Sequence, residues 1–231
     1  MKLLYLIIIF FSFGISAMAQ HQIGVNIGYG SSFYKIKNGD MNKNKTIKYT
    51  PNSAAEIEIN YKKRWPGVVN FGASLSYQKH SISVNETYVG EKSLFVKEVD
   101  YKTNNLYLKA FPEFIYGNKI KFYMQIGPAL SILMSSSADG YLDISSQETI
   151  PPTIIHSIID GDAYETFNKF SFGFFGGLGV DFSVSDNITI SLSSQFDYSI
   201  NSWFKKDNDT YSSRALIFRI GANYIIKGIK D

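Results

Sequence analysis

The chain has 231 residues, 45% hydrophobic and 16% aromatic, with a formal net charge of +3 and no cysteine. A charge so near neutral argues against nucleic acid as a partner, and the missing cysteines exclude disulfides and thiolate metal sites. Past the N-terminal segment no apolar run is long enough for a membrane-spanning helix.

The first residues have the three parts of a secretory leader: Lys2, an apolar run from Leu3 to about Ile15, and the small-residue cleavage pattern Ala17-Met18-Ala19. Residues 1–19 are expected to be a cleaved signal peptide, leaving residues 20–231 as one domain beginning at Gln20. The apolar run is shorter than the roughly 20 residues of a helical anchor.

From Gln20 onward apolar and polar side chains alternate with period two, as in strands with one face in each of two environments. Eight segments show it. The first sets Ile23, Val25, Ile27 and Tyr29 against Gly24, Asn26 and Gly28. The second sets Ala55, Ile57, Ile59 and Tyr61 against Glu56, Glu58, Asn60 and Lys62. A turn signal at Trp65-Pro66-Gly67 leads to the third, Val69 to Gln78. The fourth and fifth form a hairpin about Gly117-Asn118-Lys119. There Leu106, Leu108, Ala110, Pro112, Phe114 and Tyr116 oppose Lys109 and Glu113, while Phe122, Met124, Ile126 and Leu130 oppose Lys121 and Gln125. The sixth (Phe170 to Phe182) carries Asp181 on its polar side, the seventh (Ile188 to Tyr198) carries Asp197, and the eighth (Leu216 to Ile226) carries Arg219.

The connections after the second, fourth and sixth segments are short. Those after the first (about 35–52), third (84–103), fifth (135–166) and seventh (201–212) are long. Outer-membrane barrels sort their loops this way, with both termini in the periplasm. A β-sandwich accounts for a charge-free face but not for the sorted loops. The expected fold is therefore all-β: an eight-stranded antiparallel up-and-down transmembrane β-barrel of the Gram-negative outer membrane.

Eight strands enclose an interior just wide enough to be filled by side chains. Glu56, Glu58, Lys62, Lys109, Glu113, Lys121, Asp181, Asp197 and Arg219 all fall in the inward phase, and buried charges require partners. A filled, ion-paired lumen is expected instead of an open pore. Glu56 and Glu58 stand about 7 Å apart on one strand face and need a cation between them, with Lys109, Lys121 and Arg219 as candidates. Tyr29, Tyr61, Trp65, Tyr77, Tyr116, Tyr198 and Tyr224 lie near strand ends, as interfacial girdles do. Pro112 and Pro128 lie inside strands of a ring without free edges, and bulges or a place near the rim are expected to accommodate them.

Little else in the sequence suggests chemistry. The glycines of Phe174-Phe175-Gly176-Gly177-Leu178-Gly179 alternate along a strand and open no helix, which excludes a nucleotide loop; they are expected to leave room for bulky lumenal neighbours. His21, His80 and His156 lack metal-ligand spacing, so no cofactor is expected. His80 beside Ser81, with Asp100 or Asp197 within reach, is the one catalytic candidate, for lipid A modification; a solvated rim histidine is the preferred reading. In the first long connection Lys35, Lys37, Lys43, Lys45 and Lys48 are candidate contacts for lipopolysaccharide phosphates or an acidic partner, against simple solvation. The third holds Asp139, Asp143, Glu148, Asp160, Asp162 and Glu165 without Lys or Arg, and the apolar pairs Ile154-Ile155 and Ile158-Ile159. It is expected to fold over the mouth or to meet a partner; Ca²⁺ or a basic protein is a candidate ligand of its acidic residues, against simple solvation as the preferred reading.

Three features together carry a family likeness: the strand Tyr107-Leu108-Lys109-Ala110-Phe111-Pro112 with its Gly-Asn-Lys turn, the strand Gln125-Ile126-Gly127-Pro128, and the segment Phe174 to Phe182. In this combination the chain resembles the PorT-like outer-membrane β-barrel family. The resemblance implies an eight-stranded outer-membrane barrel, and some members are linked to type IX protein secretion; it carries over no catalytic or ligand residue. Such barrels often end on an aromatic residue, whereas here the last one is Tyr224, followed by Ile225 to Asp231. The function expected is that of a non-catalytic structural or interaction protein, accessory to envelope or secretion assemblies and in contact with outer-membrane lipid and lipopolysaccharide. A lipid A-modifying enzyme and a small-solute channel are the alternatives.

Overall fold

The computed structural model describes residues 20–37, 45–65, 69–146, 153–200 and 210–226. The expected leader, Lys43, Glu148 and residues 227–231 lie outside them. The described strands are β1 (Gln20–Lys37), β2 (Lys45–Arg64), β3 (Val69–Val89), β4 (Ser93–Tyr116), β5 (Ile120–Ser146), β6 (Thr153–Asp162), β7 (Phe170–Ser183), β8 (Ile188–Ser199) and β9 (Thr210–Ile226). All pairings are antiparallel. They run β4-β3-β2-β1-β9-β8-β7-β5, and a β4–β5 pairing closes them into a ring of eight. The ninth strand, β6, pairs only with the far end of β5 among the described residues.

The alternation read from the sequence maps onto the two sides of this ring. Ile27, Phe172 and Leu178 face outward at 57%, 59% and 61% exposure, whereas Glu113 and Gln78 face inward at 0%. A water-soluble protein does the reverse, so the exterior is built for hydrocarbon. At the end with short turns, Gly117 has φ +108° and a Cβ there would lie 2.2 Å from the Ile120 carbonyl oxygen, so the hairpin turn requires glycine.

At the other end the strands overrun. β3, β4 and β5 are 21, 24 and 27 residues long, about twice what a tilted strand needs to cross a bilayer. The expected long connections 84–103 and 135–166 are thus largely strand. Residues 90–92 make a tight turn, closed by the Gly90 N–H donating to the Ser93 carbonyl at 2.8 Å. The physical reason is an inversion of polarity along each strand. On β3 the outward positions pass from Phe71, Leu75 and Tyr77 to Lys79, Ser81 and Ser83, while the inward ones pass from Ser76 and Gln78 to Ile82 and Val84. On β4 Asp100 and Lys102 face out while Val99 and Tyr101 face in. The register never breaks between them, with Ile82 opposite Tyr101 and Val84 opposite Val99. Where the strands leave lipid for water, their inner face becomes an ordinary apolar core. Phe167, beyond a single 3-10 turn at Tyr164–Thr166, plugs this core edge-on to Tyr101 at 5.5 Å. We call this end of the molecule the crown.

The prolines are accommodated differently from expectation. Pairing between β4 and β5 lapses between Lys109 opposite Ala129 and Glu113 opposite Gln125, and both Pro112 and Pro128 lie in that gap, yet the register is the same on either side. The ladder loses bonds there without a bulge. The bulge that does occur lies higher, at Met134, between Asn105 opposite Leu133 and Asn104 opposite Ser135. The aromatics form two belts. Tyr61, Trp65, Tyr116 and Tyr224 ring the turn end, Trp65 edge-on to Phe71 at 5.6 Å with Lys63 over it, while Tyr29, Tyr77 and Tyr198 mark the level where polarity inverts.

Candidate functional site

The inward phase of the strands stacks its charges in two layers. In the lower layer, Lys62 of β2 donates to Glu113 of β4, which also accepts from Gln125 at 2.5 Å and Asn70 at 3.3 Å. Beside them Arg64 donates to Asp181 at 3.0 Å, and the Lys62 ammonium lies 4.8 Å from the centre of the Tyr123 ring. A Cβ on Gly179 would come within 2.4 Å of that same ring, so here glycine makes room for a lumenal aromatic.

In the middle layer two cations hold three carboxylates. Lys109 donates to Glu56 at 2.8 Å and lies 3.6 Å from Glu58 and 4.0 Å from Asp197. Arg219, reaching in from β9, donates to both Glu58 oxygens at 3.2 Å and to Gln195 at 2.6 Å. Gln78 bridges Glu56 and Asp197 at 2.8 and 3.0 Å, and Asn26 and Ser74 complete the shell of Glu58. Glu56 and Glu58 therefore share Lys109 and Arg219. Lys121 stands opposite Asp181 in the register but half-buried at the rim, and makes no ion pair among the described residues. Arg64 takes the place assigned to it. Extending the alternation of Glu58, Asn60 and Lys62 by two residues points to Arg64, but the adjacent turn signal hid it.

Above the charges His80 is buried, at 4% exposure, and not a solvated rim residue. It lies 3.0 Å from the Gln78 amide oxygen and 3.4 Å from the Tyr107 hydroxyl. With Asp197 and Ser199 it lines a cavity of about 20 Å³, room for about one water. Ser81 and Asp100 are not part of that cavity lining; Asp100 accepts from Ser83 on the outer face.

The basic and acidic connections also change character. Lys35 and Lys37 belong to β1, and Lys45 and Lys48 to β2, so four of the five lysines extend strands instead of forming a loop. Of the acidic set, Asp143 contacts His156 at 2.5 Å and Asp162 accepts from the Tyr164 backbone N–H at 2.8 Å. Among the described residues no three His, Asp or Glu side chains gather as a metal site would require.

A closed ring with a greasy exterior, two aromatic belts and an ion-paired interior defines an integral β-barrel of the outer membrane. The family described as outer membrane protein beta-barrel domain matches residues 17–205, and the chain belongs to that family. Its location is the Gram-negative outer membrane. Solved structures with a similar course include Ail of Yersinia pestis (14% identity, 89% of this chain and 98% of that one, TM-score 0.38). The Neisserial surface protein A matches at 13% identity over 90% and 97% with a TM-score of 0.43. OprG of Pseudomonas aeruginosa matches at 12% over 91% and 96%, also with 0.43. No curated protein matches.

Proposed function

We propose that this chain is a non-catalytic interaction protein whose barrel serves as a plugged membrane anchor and whose crown, on the extracellular side, is the working end. The short turns and both ends of the ring then face the periplasm. The observation that carries the proposal is the pair of stacked ion-pair layers, in which Lys62, Arg64, Lys109 and Arg219 meet Glu113, Asp181, Glu56 and Glu58 across the lumen. Buried charges that are paired in this way fill the interior of a ring of eight strands, which supports a plug over an open pore. Lipopolysaccharide contact is part of the proposal: Lys79 and Lys102 face outward just above the outer aromatic belt, and Arg214 stacks on Tyr198 at 5.3 Å. That the partner belongs to a secretion assembly of the PorT-like kind is supported only by the strand motifs around Pro112, Pro128 and Leu178. Planar-bilayer recordings of the purified mature chain test the anchor: the expected trace is flat, and stable single-channel steps would return the small-solute channel to first place. Capture from native membranes with the crown exposed tests the accessory role, which fails if only lipid and lipopolysaccharide are recovered.

A further inference from the structure

We infer that the free edge of β6 is a docking site for an extended, basic segment of a partner protein, added as one more strand to the crown. The inference deepens the interaction role proposed above and rests on it. Among the described residues β6 is hydrogen-bonded to β5 alone, leaving a row of backbone donors and acceptors unpaired. Proteins commonly protect such edges with lysine, proline or a bulge. β6, Thr-Ile-Ile-His-Ser-Ile-Ile-Asp-Gly-Asp, has no lysine or proline, and its register with β5 is unbroken. Its outward face instead displays Ile154 and Ile158 at 76% and 77% exposure, in water and well beyond the lipid belt. An apolar edge without lysine or proline is what strand addition uses: backbone bonds supply affinity and alternate side chains supply selectivity.

The charge of the partner follows from a second observation. Asp100 on β4 is directly opposite Asp139 on β5, which is directly opposite Asp160 on β6. All three are exposed, so a row of like charges crosses three neighbouring strands. Such cross-strand pairs are destabilising; β5 from Phe122 onward and β6 hold no Lys or Arg, and Lys102, two residues from Asp100 on the same face of β4, sets one cation against the carboxylates of Asp100, Asp139, Asp160 and Asp162. Asp162 extends the row toward the end of β6. Ile154, Ile158, Asp160 and Asp162 share the outward face of β6. A strand laid along β6 with apolar side chains at its outward positions beside Ile154 and Ile158, and cations at those beside Asp160 and Asp162, would match both, with Asp139 one strand further in.

The test uses the mature chain in zwitterionic nanodiscs, with empty nanodiscs as the blank, and as the probe the peptide Val-Thr-Val-Thr-Val-Thr-Lys-Thr-Lys, whose valines and lysines share one face. Binding is expected, and it should weaken about tenfold or more when lysine is replaced by glutamate or when alternate peptide amides are N-methylated. The triple variant Asp139→Asn, Asp160→Asn, Asp162→Asn should also weaken binding while keeping the wild-type heat-modifiable gel shift, which reports an intact barrel. Equal binding of the methylated peptide, or of the lysine peptide to the triple variant, overturns the inference. So does failure of the wild type to bind together with dimerisation of the triple variant, which would make the aspartates guards against self-pairing. Conductance is read in a separate experiment, so an open lumen would strike the plugged-anchor proposal without touching the peptide result.

Discussion

Replacing Lys109 by methionine leaves an unbranched side chain one atom shorter and removes the charge together with the N–H donors of the lysine. Its Nζ lies 2.8 Å from Glu56 and 3.6 Å from Glu58, with no exposed side-chain surface. At an effective dielectric of about 20 each of these contacts is worth about 5 kcal/mol of attraction before desolvation is counted. Much of that offsets the cost of burying the ions, so what the substitution exposes is the cost of carboxylates left without their cation, about 3–5 kcal/mol. Arg219 still holds Glu58 at 3.2 Å but is 4.0 Å from Glu56, which points to Glu56 as the orphan. Urea titration of the barrel in lipid vesicles, scored by the heat-modifiable band on unboiled gels, measures the loss. Adding Glu56→Gln should recover part of it, because the two sites are in direct contact and their effects do not add. A loss below about 1 kcal/mol, or no recovery in the double variant, refutes the view that this buried pair organises the lumen.

Three further outcomes follow from the same geometry. Ile27→Arg puts a charge on the lipid face of β1, and should cost about 2–4 kcal/mol in the same vesicle titration. Phe167→Ala empties the plug of the crown core and should cost that core about 3–5 kcal/mol; the expected sign is new proteinase cleavage confined to the crown, with the barrel band intact. His80→Ala should leave lipid A unchanged by mass spectrometry, and an altered lipid A profile would make the His80, Asp197 and Ser199 cavity an active site.

What could be read from the sequence was whatever depends on period two and on the sign of charge. The ring of eight follows from repeated alternation, and the inward placement of Glu56, Lys109 and Arg219 follows from their phase. The overrun of the strands was hidden by the change of solvent along them. Between Gln78 and Val84 the alternation persists but swaps which phase is greasy, and a search for one greasy face reads that swap as a loop. β6 was hidden for a related reason. Its residues Ile154, Ile155, Ile158 and Ile159 come in pairs, not at every second place, so no period-two signal marks them. The burial of His80 was missed because its neighbours on β3 are polar. The wall that covers it comes from Tyr107, Ser171 and Asp197, which lie far away in the chain.

The central claim is that hydrocarbon bathes the outer face of the ring up to the inversion and water bathes it beyond. Because the natural chain has no cysteine, single cysteines placed along β3 from Phe71 to Ser83 can each carry a nitroxide in lipid vesicles. Oxygen collisions, which report lipid, should peak at positions 71, 73, 75 and 77 with low values between them. At 79, 81 and 83 a water-soluble nickel reagent should dominate. Nickel access at 73 and 75 equal to that at 81, or oxygen values without the two-residue alternation, would contradict the account.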